Sequence, residues 1–162
     1  MGPRVIGWLL VAAQTGLVVT LVLLPSGDAW PTPGWLEVTG LVIAGLGAVW
    51  AVVAALRLGE GLTPTPVPRP GGRLRTDGPY AHVRHPIYTG VLLIVVGITV
   101  RSGSAPVLGL AVSIVVFFHA KARFEEGLLA ERFPEYRVYA ERTPRFVPAP
   151  WRRSGRLPEA LG

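Results

Sequence analysis

An all-α fold, an integral membrane helical bundle of about four transmembrane helices followed by a cytosolic helical segment, is the class this sequence predicts. Three observations predict it. Hydrophobic residues make up 50% of the 162 and charged residues only 16%, too apolar for an ordinary soluble domain of this length. Long runs free of charge recur along the chain. The basic residues gather in two segments that flank those runs, a central loop and a C-terminal tail. The length suits one membrane domain, residues 1–162.

Val5 to Leu24 carries no charge and is long enough to cross about 30 Å of hydrocarbon as a helix. A cleaved signal peptide has a shorter apolar core, and here a second span follows. That second span is Leu36 to Leu58, with Glu37 at one rim and Arg57 at the other. Its Gly40, Ala44 and Ala48 place small residues every fourth position, which suits close packing on another helix of the same chain. Thr63 to Gly72, with Pro64, Pro66, Pro68 and Pro70, reads as an extended, stiff linker. Two shorter apolar segments, 86–100 and 105–120, are joined by the polar turn Arg101–Ala105 and form an antiparallel hairpin. The second arm continues through Lys121 toward Phe133, and Arg152 to Gly162 is a frayed basic tail.

Charge asymmetry orients the bundle, because basic residues near span ends stay on the cytoplasmic side. Arg57, Arg69, Arg73, Arg75 and Arg84 follow the second span; Lys121, Arg123, Arg132, Arg137, Arg142 and Arg145 follow the fourth. The opposite turns hold only Arg101 and Asp28. Both termini, the central loop and the tail are therefore expected in the cytoplasm. Fifteen Arg against one Lys resembles GC-rich bacterial coding, hence a bacterial inner membrane. The net charge of +6 fits contact with anionic headgroups and not nucleic acid, since no aromatic-interleaved or helix-turn-helix setting accompanies it. Oligomeric state is not legible. Cysteine is absent, which excludes disulfides, thiolate catalysis and cysteine-ligated metal. His82, His85 and His119 lack a ligand spacing such as H-E-x-x-H, so no metal is expected.

Chemistry concentrates at Gly78-Pro-Tyr-Ala-His-Val-Arg-His-Pro-Ile-Tyr-Thr-Gly90, where the basic loop meets an apolar run. Pro86 suits the first turn of a helix that starts beside His85. Free N–H groups at that start, with Arg84 beside them, favour an anion. Tyr80 and Tyr88 offer faces for a planar base or a cation. An interfacial belt of Tyr, His and Arg is the plainer reading. On the last span, helical spacing lets Lys121 pair with Glu125 and Arg123 with Glu126, while Leu129 and Phe133 form an apolar stripe.

The ordered series Gly78-Pro-Tyr-x-x-Val-Arg-His-Pro-x-Tyr-x-Gly90, Glu125-Glu126-x-x-Leu129, Phe133-Pro-Glu-Tyr-x-x-Tyr139 and Arg142-Thr-Pro-Arg-Phe-Val-Pro148 resembles the isoprenylcysteine carboxyl methyltransferase-like family of integral membrane methyltransferases. The resemblance covers 71–148 and implies an S-adenosylmethionine-dependent methyltransferase without a Rossmann domain. Carried over by position, it implies cofactor contacts from Gly72, Arg73, Leu74, Arg75, Tyr80, His85, Pro86, Ile87, Tyr88 and Glu125. The family's acceptor-contacting arginine falls on Lys121, a compact point charge that does not reproduce bidentate recognition, and Arg123 is the substitute guanidinium. The candidate catalytic groups are thus His85, Glu125 and Arg123. The eukaryotic members carry His at the position of Gly72 and further spans ahead of this core. A lipid-like or small hydrophobic acceptor from the bilayer is accordingly expected in place of a prenylated protein, with carboxylate O-methylation first. A nicotinamide-dependent membrane reductase and a non-catalytic membrane adaptor are the alternatives.

Overall fold

A computed structural model of the protein describes residues 1–63, 65, 67 and 73–149. Most of the proline linker, Gly72 of the expected cofactor set and the basic tail from Arg152 lie outside the described residues. Five α-helices follow in order: α1 Pro3–Leu23, α2 Gly34–Leu58, α3 Pro86–Ser102, α4 Ala105–Arg132 and α5 Tyr136–Arg142. Single 3-10 turns at Gly59–Gly61 and Gly78–Ala81 punctuate the central loop, and no strand occurs among the described residues.

The protein is a membrane helical bundle. Helices α1, α2 and α4 are long and apolar enough to cross a membrane, and α3, at 17 residues, is apolar but shorter. At 1.5 Å per residue α3 reaches about 25 Å, the low end of a spanning length. Helix α2 turns Val38, Leu41, Val42, Leu46, Val49 and Leu56 outward, and α1 does the same with Trp8, Leu9, Val22 and Leu23. These unpartnered apolar faces are what hydrocarbon covers.

Glycine decides how α2 meets α3. A Cβ added at Gly90 would stand 2.5 Å from the Gly47 carbonyl oxygen and 2.7 Å from Ala51 Cβ. A Cβ at Gly47 would stand 2.6 Å from the Gly90 oxygen. The two backbones therefore touch, an approach open only to glycine. The contact lies inside the monomer, as expected, but its stripe runs Gly40, Ala44, Gly47, Ala51, and Ala48 is exposed. The reason is the 3.6-residue turn: a strict four-residue step drifts off the contact face.

Gly103, in the left-handed region at φ 58°, ends α3 and lets Ser104 start α4 directly. The α1–α2 connection clasps this turn: the Gly27 N–H donates to Ser102 O at 2.8 Å and the Ala29 N–H to Gly103 O at 2.8 Å. Those two turns share one end of the bundle. At the other end the central loop, α5 and residues 143–146 come together: Arg84 N–H donates to Pro144 O at 2.9 Å, and Tyr139 Oη to Tyr80 O at 2.6 Å. Between the ends lies a core of Leu21, Val95, Val107, Ile114 and Phe118, closed at the loop end by Phe146.

Candidate active site

Local rules explain how the motif is held. Gly78 sits at φ 56°, and the 3-10 turn it opens buries Tyr80, whose Oη donates to Ala54 O at 3.4 Å. His85 is the N-cap of α3 and Pro86 its first residue, where the missing N–H costs nothing. The strap at 143–146 then occupies the helix start: His85 N–H donates to Arg145 O at 3.1 Å, and Thr89 Oγ1 to Phe146 O at 2.8 Å. The amides of Arg84 and His85, just ahead of the helix, are thus taken by the chain's own carbonyls, whereas the N–H groups of Ile87 and Tyr88 in the first turn of α3 have no such partner among the described residues.

Two adjacent carboxylates on α4 divide their surroundings. Successive helical residues point about 100° apart, so Glu125 and Glu126 cannot face the same way. Glu125 lines the cavity and accepts the Tyr88 hydroxyl at 2.7 Å, with His85 Nδ1 3.6 Å away. Glu126 faces the strap. It accepts from Arg84 Nε at 3.1 Å, from Arg145 Nε at 2.9 Å and Nη2 at 2.6 Å, and pairs with His85 Nε2 at 3.1 Å. Its bond to Arg145 holds that guanidinium's pKa above the ordinary value. Arg84 also donates to Ala140 O at 2.6 Å and Thr143 O at 3.0 Å, so one carboxylate and one guanidinium tie together loop, α4, α5 and strap. The His85 ring stacks parallel to Tyr88, with centroids 5.2 Å apart and planes 2° apart.

A cavity of about 260 Å³ opens beside this knot, near the small end of ligand pockets. Of the residues expected to hold a cofactor, Arg73, Leu74 and Arg75 line it from the loop, and Tyr80, His85, Pro86, Ile87 and Tyr88 from the motif. Glu125 completes that set from α4, and Lys121 lines the cavity as well. Burial raises the pKa of the Tyr80 phenol, with the Glu125 carboxylate adding to the effect, so it remains a neutral donor.

Arg123 is not brought in. It is exposed on α4, about 200° around the helix from Lys121, and does not line the cavity. Neither expected pair on α4 is seen: Glu126 is engaged by Arg84 and Arg145, Glu125 by Tyr88, and Lys121 donates to Gln14 of α1. Leu129 and Phe133 of the apolar stripe both line the cavity. No cluster of three or more His, Asp or Glu side chains with room for a metal occurs among the described residues. Sequence reasoning missed Glu126 as the hub, Arg145 as its partner, and Gln14. The signals were there: a second carboxylate next to the first, and a lone amide in an apolar span.

The fold defines a helical membrane protein, and the comparisons give its family. The model of the phospholipid methyltransferase family matches residues 35–136, and the chain belongs to that family. Among its relatives, nickel-cobalt-cadmium resistance protein NccN of Alcaligenes xylosoxydans xylosoxydans is 31% identical over 131 residues, covering 80% of this chain and 60% of that protein. Cobalt-zinc-cadmium resistance protein CzcN of Cupriavidus metallidurans is 40% identical over 81 residues, 49% of this chain and 38% of that one. Protein-S-isoprenylcysteine O-methyltransferase B of Arabidopsis thaliana is 33% identical over 119 residues, 70% of this chain and 60% of that one. The chain thus spans about 60% of the length of two of these relatives and 38% of the third.

Proposed function

We propose that this chain is an S-adenosylmethionine-dependent methyltransferase acting on a hydrophobic or lipid-like acceptor, with carboxylate O-methylation first, at the cytoplasmic membrane face. One observation carries the reading: the motif, the loop from Arg73 to Arg75 and the Glu125 carboxylate, distant in sequence, line one cavity where α4 leaves its apolar run. Residues 1–162 act as one membrane domain, with 71–148 as the cofactor-binding region.

The lining suits a cationic, zwitterionic nucleoside. Tyr80, Tyr88 and His85 supply flat faces, Glu125 a negative charge for an ammonium or sulfonium, and Arg73 and Arg75 positive charge for a carboxylate. S-adenosylmethionine, when bound, supplies a sulfonium methyl whose passage to a carboxylate oxygen breaks a C–S bond, forms a C–O bond and releases no proton. The protein's part is then positioning and exclusion of water. Glu126 keeps the His85 ring in place through Nε2, and Phe118 and Leu129 keep the walls apolar. Were the acceptor a hydroxyl, amine or thiol, His85 Nδ1 or Glu125 would be the group to take its proton. Lys121, buried in the same cavity, holds the acceptor. Arg57, Arg73, Arg75 and Arg84 at the loop end favour that end on the cytoplasmic side of a bacterial inner membrane.

Calorimetric titration of the detergent-purified protein tests the reading. S-adenosylmethionine is expected to bind saturably, and Glu125→Gln to weaken it at least about tenfold. Binding of reduced nicotinamide cofactor alone, or equal binding by folded Glu125→Gln protein, would overturn it.

A further inference from the structure

Gln14 lies halfway along α1, outside the matched region 35–136 and outside the motif. It is half-buried, lines the cavity, and accepts a hydrogen bond from Lys121 Nζ through its side-chain oxygen. Lys121 is only 4% exposed, and its amine stands over the Tyr88 ring at 5.1 Å and the Phe118 ring at 5.8 Å.

The donor inventory of this pair is unbalanced. A lysine ammonium has three N–H donors and a glutamine amide two. Among the described residues Gln14 takes one donor from Lys121, Lys121 makes no ion pair, and nothing accepts from the Gln14 amide nitrogen. Burying an ammonium against rings and one amide oxygen leaves most of its lost hydration uncompensated. What remains open at the cavity wall is a set of donors whose anionic neighbour, the Glu125 carboxylate, is hydrogen-bonded to Tyr88 and makes no ion pair with Lys121. The group that satisfies such a set is acceptor-only and anionic, with two oxygens to share: a carboxylate. Gln14 is eleven residues into α1, about 17 Å along it, with Val91 and Phe118 on the same cavity. An acid seated there has an apolar remainder.

We propose that Gln14 and Lys121 together form the head-group subsite for a carboxylate-bearing amphiphile, with Gln14 the specificity-determining residue contributed by α1. The identity of this ligand as methyl acceptor rests on the function proposed above; its binding does not. Gln14 fixes the amine and adds its own N–H to the cradle. An alcohol or amine of the same chain length leaves donors unanswered or adds a second positive charge.

The test is binding of radiolabelled oleate, oleyl alcohol and oleylamine to the full chain in detergent, for wild type, Gln14→Leu and Gln14→Glu, with S-adenosylmethionine affinity measured in parallel. Oleate is expected to bind at least about tenfold more tightly than the alcohol or amine, as charge-assisted hydrogen bonds imply. Gln14→Glu places a carboxylate against Lys121 and should lower oleate affinity about tenfold; Gln14→Leu should narrow the oleate preference. Unfolding temperature within a few degrees of wild type verifies each variant as folded, and the wild-type head-group preference decides the matter if one is not. Equal binding of the three amphiphiles by wild type, or undiminished oleate affinity in folded Gln14→Glu, overturns the subsite. So does a loss of S-adenosylmethionine affinity in Gln14→Glu equal to that for oleate, which would give the pair to the cofactor's carboxylate. Oleate preference without any S-adenosylmethionine binding upholds the subsite while the methyltransferase reading falls.

Discussion

Replacing Glu126 by Gln removes one charge and should loosen three segments at once. The carboxylate is 15% exposed, Arg84 13% and Arg145 26%, so solvent compensates little. Its two oxygens take contacts from Arg84 Nε and Nη2, Arg145 Nε and Nη2, and His85 Nε2, all at 2.6–3.1 Å. Gln keeps one acceptor oxygen, and its amide nitrogen presents N–H groups to guanidiniums that have only donors. Breaking a buried ion pair from one side costs about 3–5 kcal/mol. Arg84 keeps its bonds to Ala140 O and Thr143 O, which limits the loss to about 2–4 kcal/mol. For a chain of this size that is an unfolding temperature lower by roughly 5–15 °C. The assay is thermal unfolding in detergent or nanodiscs. Glu125→Gln serves as comparison and should cost at most about 1 kcal/mol, since Gln keeps an oxygen for the one Tyr88 hydroxyl and loses only the charge assistance of that bond. An Arg145→Gln/Glu126→Gln double variant should be less destabilised than the sum of the singles, because they share one interaction. Glu126→Gln within about 2 °C of wild type, or matched by Glu125→Gln, would refute the assignment of Glu126 as the hub.

Gly90→Ala drives a Cβ to 2.5 Å from the Gly47 oxygen and should cost about 2–3 kcal/mol in unfolding experiments, while Gly45→Ala, with nothing within 4 Å, should be neutral or stabilising. Tyr136 Oη is buried without a partner among the described residues, so Tyr136→Phe is expected to leave the unfolding temperature unchanged or raise it; a fall of more than about 1 kcal/mol would reveal a partner. Reporter fusions after Arg75 and after Val147 should both report cytoplasm, and a fusion at Asp28 the opposite side; loop and strap on different sides would contradict the bundle.

Much of the fold was legible because hydrocarbon imposes simple demands. Charge-free runs located α1 and α2 within two residues of their ends, and Pro86 marked the start of α3. Register was less legible. Small residues at 40, 44 and 48 look like a stripe on paper, yet 3.6 residues per turn select 40, 44, 47 and 51. Motif order anticipated many of the residues that line the cavity, but not how they pair. Which of two neighbouring glutamates faces a cavity depends on the rotation of α4, and that is set by Val107, Ile114 and Phe118 packing into the core. Arg145 could not be paired from sequence because its partner lies 19 residues away across a turn of the chain. Gln14 depends on α1 meeting α4, a contact between two apolar surfaces that carries no pattern of its own.

The division between Glu125 and Glu126 also bears on how one small bundle serves two unlike ligands. The proposed cofactor is polar and arrives from water; the proposed acceptor is apolar and arrives from lipid. A site for both has to sit where α4 passes from apolar to charged sequence, between Phe118 and Arg132. There the wall must be rigid although it stands at the border between an apolar and a charged stretch of α4. Gly47 and Gly90 lock α2 to α3, whose first turn lines the cavity, by backbone contact, which needs no polar group in the membrane. Glu126 locks α4 to the strap through ions, which the bundle tolerates because the strap carries Arg145 to it and shields both. Glu125 is thereby left with Tyr88 as its one side-chain hydrogen-bond donor among the described residues, and it keeps lone pairs open to the cavity. A second ion pair on Glu125 would stiffen the site further, at the cost of the negative charge the proposed cofactor requires.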